Sequence, residues 1–123
     1  MLETTLTETK PCWNKDAALQ ALDGDTELLM ELAGLFLEGS GQLLERIGRG
    51  IEAANSTELY HAAHTLKGSM ANFCAQEARD SAHVLEMAGR AGHLEGAREM
   101  FRTLTGQLQC LEADLAEFAA RGE

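Results

Sequence analysis

Proline is all but missing from this chain: of its 123 residues only Pro11 is a proline. Everything after it lacks the residue that most strongly breaks helices. What remains is rich in Ala, Leu and Glu, which favours helix. Cysteine is scarce and odd in number. Cys12, Cys74 and Cys110 share no C-x-x-C spacing, so they outline neither a disulfide framework nor a zinc site. The expectation is three reduced side chains in a reducing compartment, with Cys110 a small residue at a helix boundary. Bases are outnumbered, 10 against 20 acids, for a net charge of -10. Such a surface repels phosphate backbones and anionic lipid, so nucleic acid and membrane are excluded as partners; solubility is the simplest use of the charge. No apolar run approaches the roughly 20 residues of a spanning helix. Residues 1–10 carry acids and threonines and form neither a signal peptide nor an anchor. A Gly-rich phosphate loop is missing, which excludes ATP binding in the manner of a kinase. No serine or cysteine nucleophile motif occurs.

Apolar residues make up 45% of the chain, ordinary for one globular domain. Residues 1–12 read as a flexible lead and 13–121 as the domain. A short helix is expected from about Lys15 to Leu22, capped by Asn14, with Trp13, Leu19 and Leu22 as a lid on a larger core. Asp23-Gly24-Asp25 is a turn, and Asp25 caps the next helix, with Glu27 in its first turn. Leu28, Leu32, Leu35, Phe36, Leu43, Ile47 and Ile51 recur at helical spacing as far as Ala54, and Gly39-Ser40-Gly41 predicts a bend on the way. Asn55 starts another helix, and Glu58 is placed to reach back as a capping box. Its inner stripe is Leu59, Ala63, Leu66, Met70 and Phe73. After a break near 72–75, Ala75, Ala78, Ala82 and Leu85 face inward, and small alanines allow close helix approach. Gly89 and Gly92 bracket that helix's end. Leu94, Ala97, Phe101, Leu104, Leu108, Leu111, Leu115 and Phe118 form the last seam. That seam also suits a coiled-coil dimer, but three other amphipathic helices need a face to bury. Short connections make neighbours antiparallel, so the predicted fold is all-α: an up-down-up-down four-helix bundle with a short N-terminal helix.

The chemistry sits between His61 and Ser69. With Leu59, Ala63, Leu66 and Met70 turned inward, Tyr60, His64, Lys67, Gly68 and Ala71 lie on the outer face. His64, Lys67 and Gly68 share one patch at i, i+3 and i+4. A helical histidine beside a lysine is most often a solvated surface residue. Gly68 weakens that reading, because glycine inside a helix costs about 1 kcal/mol relative to alanine. It leaves bare backbone beside the imidazole, open to a bulky partner or a phosphoryl group. Neutral imidazole is nucleophilic near pH 7, and Lys67 can balance phosphoryl charge. With no metal cage and no nucleotide loop of its own, the chain needs a partner to supply the rest of a transfer site.

His64-Thr65-Leu66-Lys67-Gly68-Ser69 resembles the H-x-L-K-G-S core of histidine-containing phosphotransfer (HPt) domains. The similarity continues outward. Asp23-Gly24-Asp25 with Leu28-Leu29, the pair Phe36-Leu37, Leu85-Glu86 and Arg90-Ala91-Gly92 also resemble the family, so the match runs from Trp13 to Phe118. The resemblance implies that His64 is phosphorylated and that Lys67 and Gly68 support it. It implies receiver-domain aspartates as donor and acceptor, with Mg²⁺ held by the receiver and no cofactor on this chain. Glu86 falls where the family places a polar residue that can orient the imidazole. Receiver docking is expected through Tyr60, Thr65, Ser69 and Ala71, read from the helical wheel. The setting implied is cytoplasmic two-component signalling, either as a free-standing protein or as a module of a hybrid sensor kinase that supplies a receiver in cis. One departure stands out. The family usually has glycine where this chain has Cys74, so the left-handed turn there is expected to fall to Asn72 or to a differently built corner.

Two other classes compete with this reading. A helical adaptor would bind receiver or kinase domains through the same surface without being phosphorylated. A two-metal bundle would need Glu-x-x-His on two helices. Glu58-Leu59-Tyr60-His61 supplies one such spacing, but Asp80 stands three residues before His83, so no metal site is expected. His61 reads as an exposed neighbour and His93 as a loop residue.

Overall fold

The computed structural model describes residues 11–122. The lead expected before Trp13 therefore lies, over residues 1–10, outside the described residues. Five helices follow in order: α1 (Lys15–Ala21), α2 (Thr26–Glu52), α3 (Ser56–Met70), α4 (Gln76–Ala91) and α5 (Ala97–Arg121), with a 3-10 turn, Ala71–Phe73, after α3. The first three begin where the sequence places a cap. Asn14 accepts from the Ala17 amide, Asp25 from Leu28 and Asn55 from Glu58, each at about one turn's remove. Each bond satisfies an amide that the helix itself leaves unpaired, worth about 1 kcal/mol. Glu58 does not complete a capping box. It turns to α2 instead, where Arg46 Nε donates to it at 2.7 Å, and the Asn55 amide bonds the Gly50 carbonyl.

The four long helices pack in a closed ring, α2 on α3, α3 on α4, α4 on α5 and α5 back on α2. Cross-contacts show the antiparallel order. On the α2–α5 side, Arg98 pairs with Glu52, Gly48 lies under the Phe101 ring and Ser40 meets Glu112. Between α2 and α3, Gly50 faces Leu59 and Phe36 faces Phe73. The core is largely the predicted one on three helices, with Leu94 and Phe101 only half-buried against it. Leu59, Ala63, Leu66 and Met70 from α3, Ala78, Ala82 and Leu85 from α4, and Leu104, Leu108, Leu111, Leu115 and Phe118 from α5 are all buried. The Trp13 lid is also present, its ring edge-on to Phe73 and Phe118. No helix of the described residues is long and apolar enough to cross a membrane.

α2 corrects two expectations. It runs unbroken through Gly39-Ser40-Gly41, because Ser40 is buried and its hydroxyl donates to Glu112 across the ring at 2.5 Å. Its inner stripe is Leu29, Ala33, Phe36, Ile47 and Ile51, which leaves Leu28 and Leu35 exposed. Two of the leucines that set the helical periodicity therefore face outward. The corner after α3 supplies a third correction: Cys74 itself, not Asn72, takes the left-handed conformation, φ 51 and ψ 42. A fourth concerns Cys12 and Cys110, which are joined as a disulfide, leaving Cys74 as the free cysteine among the described residues. No local motif signals a pairing across 98 residues; the bundle brings the two ends together.

Of the glycines, Gly89 sits closest to a neighbouring backbone. A Cβ there would lie 2.7 Å from the Tyr60 amide nitrogen and 2.8 Å from the Ser56 carbonyl oxygen. These are backbone atoms of α3 and cannot move aside alone. Gly89→Ala is expected to lower stability by about 2 kcal/mol despite alanine's better helix propensity. Gly41→Ala, which meets nothing within 4 Å, should raise it by up to about 1 kcal/mol; urea midpoints of the two variants check the contrast. At the corner, Cys74→Gly should leave the protein at least as stable. Cys74→Val should cost about 1–2 kcal/mol, since a β-branched residue fits positive φ worst.

Candidate functional site

Because Gly89 lets α4 lie close against α3, the residue one turn earlier on α4 can reach the outer edge of α3. That residue is Glu86. Its side chain is only 7% exposed, and it is the one buried ionisable residue among those described. A carboxylate buried this way requires partners, and α3 provides them. His64 Nδ1 lies 2.8 Å from Oε2, and Lys67 Nζ lies 2.6 Å from Oε1 as an ion pair. The Lys67 contact satisfies Oε1 by charge, off the axis of a well-directed hydrogen bond. Burial pushes the Glu86 carboxyl up, but Lys67 and His64, both in direct contact with it, outweigh this and hold the group below the usual carboxylate range. It is therefore ionised at neutral pH.

His64 stands on an exposed turn of α3 with its side chain 59% open. Glu86 is an acceptor, so Nδ1 carries the proton that bonds it; in the neutral form of the ring the lone pair then falls on Nε2. No described residue bonds Nε2. The Tyr60 ring lies one turn before, stacked at 5.9 Å and 18° to the imidazole, and limits its swing on that side. On the other side, one turn after, Gly68 is exposed, and a Cβ there would meet nothing within 4 Å. Nothing in the fold requires glycine at 68; the open surface beside the ring is what a side chain would fill.

The structure thus gathers His64, Lys67 and Glu86 on one carboxylate, with Tyr60 and Gly68 flanking the ring. Lys67, expected on the outer face, is 22% exposed and anchored to Glu86. The other sequence candidates lie along the same helix but not at the ring. Thr65 and Ser69 turn their hydroxyls back to the carbonyls of His61 and Thr65, and Ala71 is exposed at the end of α3. Sequence reasoning missed His83. Considered only as a metal ligand, it lies with Nδ1 3.3 Å from Lys67 Nζ and 3.6 Å from Glu86 Oε1. The signal was available, since His83 and Glu86 are i, i+3 on one helix and share a face.

Comparison with known proteins agrees with this architecture. Among curated proteins, none matches the sequence. Among solved structures, the chain is similar to histidine-containing phosphotransfer protein B of Pseudomonas aeruginosa PAO1. The TM-score is 0.82 at 18% identity, over 92% of this chain and 98% of that one; at such identity the likeness is one of fold. The family model for the Hpt domain matches residues 31–120, which include α3 and its histidine, Lys67, Gly68 and Glu86. On that match, the chain belongs to the Hpt domain family, the phosphocarrier domains of two-component phosphorelays.

Proposed function

We propose that residues 13–121 work as a phosphorelay intermediate in the cytoplasm, accepting a phosphoryl group on His64 from a receiver-domain aspartate and passing it to a second receiver. The observation that carries the reading is the 2.8 Å contact between His64 Nδ1 and the buried Glu86 carboxylate. It selects the tautomer in which Nε2 is the nucleophile and holds the ring at a fixed angle on an open surface. In the forward step, Nε2 attacks phosphorus in line. The N–P bond forms as the acyl O–P bond breaks, and its electron pair leaves on the receiver's carboxylate. The Nδ1 proton stays on the ring, where Glu86 balances the positive charge that develops. Lys67, held on the same carboxylate, is near enough to offset part of the phosphoryl charge. The reverse step needs only a second receiver presenting its aspartate to the same face.

Mg²⁺ belongs to the receiver in this scheme, and the chain itself contributes the nucleophile, its orientation and one cation. The receivers can be separate proteins or part of a hybrid kinase in cis. They dock over the open surface at Gly68, with Tyr60, Thr65, Ser69 and Ala71 as contacts.

Incubation with phosphorylated receivers should give acid-labile, base-stable label on the wild type and none on His64→Gln. Binding of receivers without label would instead favour the adaptor. Glu86→Ala should slow acceptance by roughly tenfold or more, about 1.4 kcal/mol of barrier. Glu86→Gln, whose amide oxygen can still accept from Nδ1, should be milder; stopped reactions on gels measure both. Gly68→Gln should keep the wild-type circular dichroism and melt no lower than the wild type, because nothing occupies the space its side chain enters and glutamine favours helix more than glycine does. Its rate of label uptake should nevertheless fall by more than tenfold, as receivers are held off the ring. Equal rates for Gly68→Gln and wild type would place docking elsewhere.

A further inference from the structure

The end of the bundle that holds the Trp13 lid carries a feature unrelated to the histidine. Cys12 and Cys110 face each other with a Cα–Cα separation of 6.0 Å, inside the range a disulfide spans without backbone movement. Cys110 is exposed on α5, whereas Cys12 is half-buried and packs against the core. Immediately after Cys12, the Trp13 ring sits edge-on to Phe73 and Phe118, and the Asn14 amide donates to the Phe73 carbonyl at 3.2 Å. Phe73 is the last residue of the turn that joins the histidine helix to α4. A bond at Cys12 therefore holds the segment that covers this corner.

We propose that Cys12 and Cys110 form a reversible thiol–disulfide clasp that fastens the N-terminal segment over the α3–α4 corner. The oxidant is a small disulfide of the glutathione class. Cys110, the accessible sulfur, attacks it as thiolate, forming a mixed disulfide and releasing one small thiol. Cys12 then attacks the Cys110 sulfur and displaces the second small thiol. The two protein thiols lose two protons and two electrons in all, and the small disulfide is reduced to two thiols. The order follows exposure, because the half-buried Cys12 is the poorer first target for a soluble reagent. Closing a loop across 98 residues restricts the unfolded chain strongly, so the clasp acts mainly on stability. His64 stands on another helix with its own partners, and the clasp does not depend on phosphotransfer.

The test is equilibration of the full chain with mixtures of reduced and oxidised glutathione, followed by thiol alkylation, intact mass, peptide mapping and thermal unfolding. Under oxidising mixtures, a single alkylatable thiol is expected, on Cys74. The mass should be lower by two hydrogens, and the melting temperature about 10 °C above that of the reduced protein. Cys110→Ser and Cys12→Ser should each abolish that difference, while Cys74→Ser should keep it. Three alkylatable thiols at every mixture would overturn the proposal. So would a Cys12–Cys74 cross-link, since those two residues line one cavity. A third contrary result is tight zinc retention by the reduced protein: the Cys12 and Cys110 sulfurs and an Asp114 carboxylate oxygen lie within 4.8 Å of one another, and such retention would make the pair a metal site instead.

Discussion

A charged carboxylate under the surface is the constraint around which the rest of the site is arranged. Glu86 is tolerated there only because His64 and Lys67 reach it from the neighbouring helix. They reach it only because α4 lies against the backbone of α3 at Gly89. Each element depends on the others. A wider helix spacing would admit water to the carboxylate and lengthen both contacts. A residue at 86 with no acceptor would free the lysine and the imidazole to wander. The closeness of two helices, set by the absence of one methyl group, thus becomes the orientation of a single ring.

The two sides of α3 are held differently. Toward α2 and α4, it is gripped by glycines at 50 and 89, whose missing side chains let backbone approach backbone. Toward solvent, it offers Gly68, where nothing approaches at all. The same residue type serves close packing on the inside and vacancy on the outside. On the side of the ring opposite the α3–α4 contact, α2 and α5 are joined by polar contacts at two levels, Arg98 with Glu52 and Ser40 with Glu112, which keep the scaffold closed.

Much of this was legible in the sequence, for physical reasons that can be named. Asn14, Asp25 and Asn55 announced three helix starts because a cap is a local interaction, complete within four residues. The seam of α5 was readable because its members alternate in steps of three and four. The position of His64, Lys67 and Gly68 on one outer patch follows from helix geometry alone. What failed was what depends on neighbours distant in the chain. Leu28 and Leu35 look like core until Leu29 and Ala33 are seen to face α2's partners. Gly39-Ser40-Gly41 looks like a bend until Glu112, from the last helix, meets the serine. The pairing of Cys12 with Cys110 is invisible without the fold. Cys74 in a left-handed conformation is a strain that the packed corner around Phe73 imposes and that propensity argues against. His83 shows the intermediate case: its spacing from Glu86 was readable, but its nearness to Lys67 required the third dimension.

The buried carboxylate has a further consequence for energetics once His64 carries a group, as proposed. A phosphoryl group on imidazole bears close to two negative charges, and it would sit on a ring whose other nitrogen is bonded to an anion. Before the transfer, that anion makes the ring a better nucleophile. After it, the same anion repels the cargo, and a single lysine already shared with it offsets only part of the repulsion. The loaded state is then never deeply favourable, and the bond is easily given up to the next acceptor. One fixed charge would set both how readily the ring is loaded and how shallow a well the load rests in, which suits a carrier and would be a defect in a store.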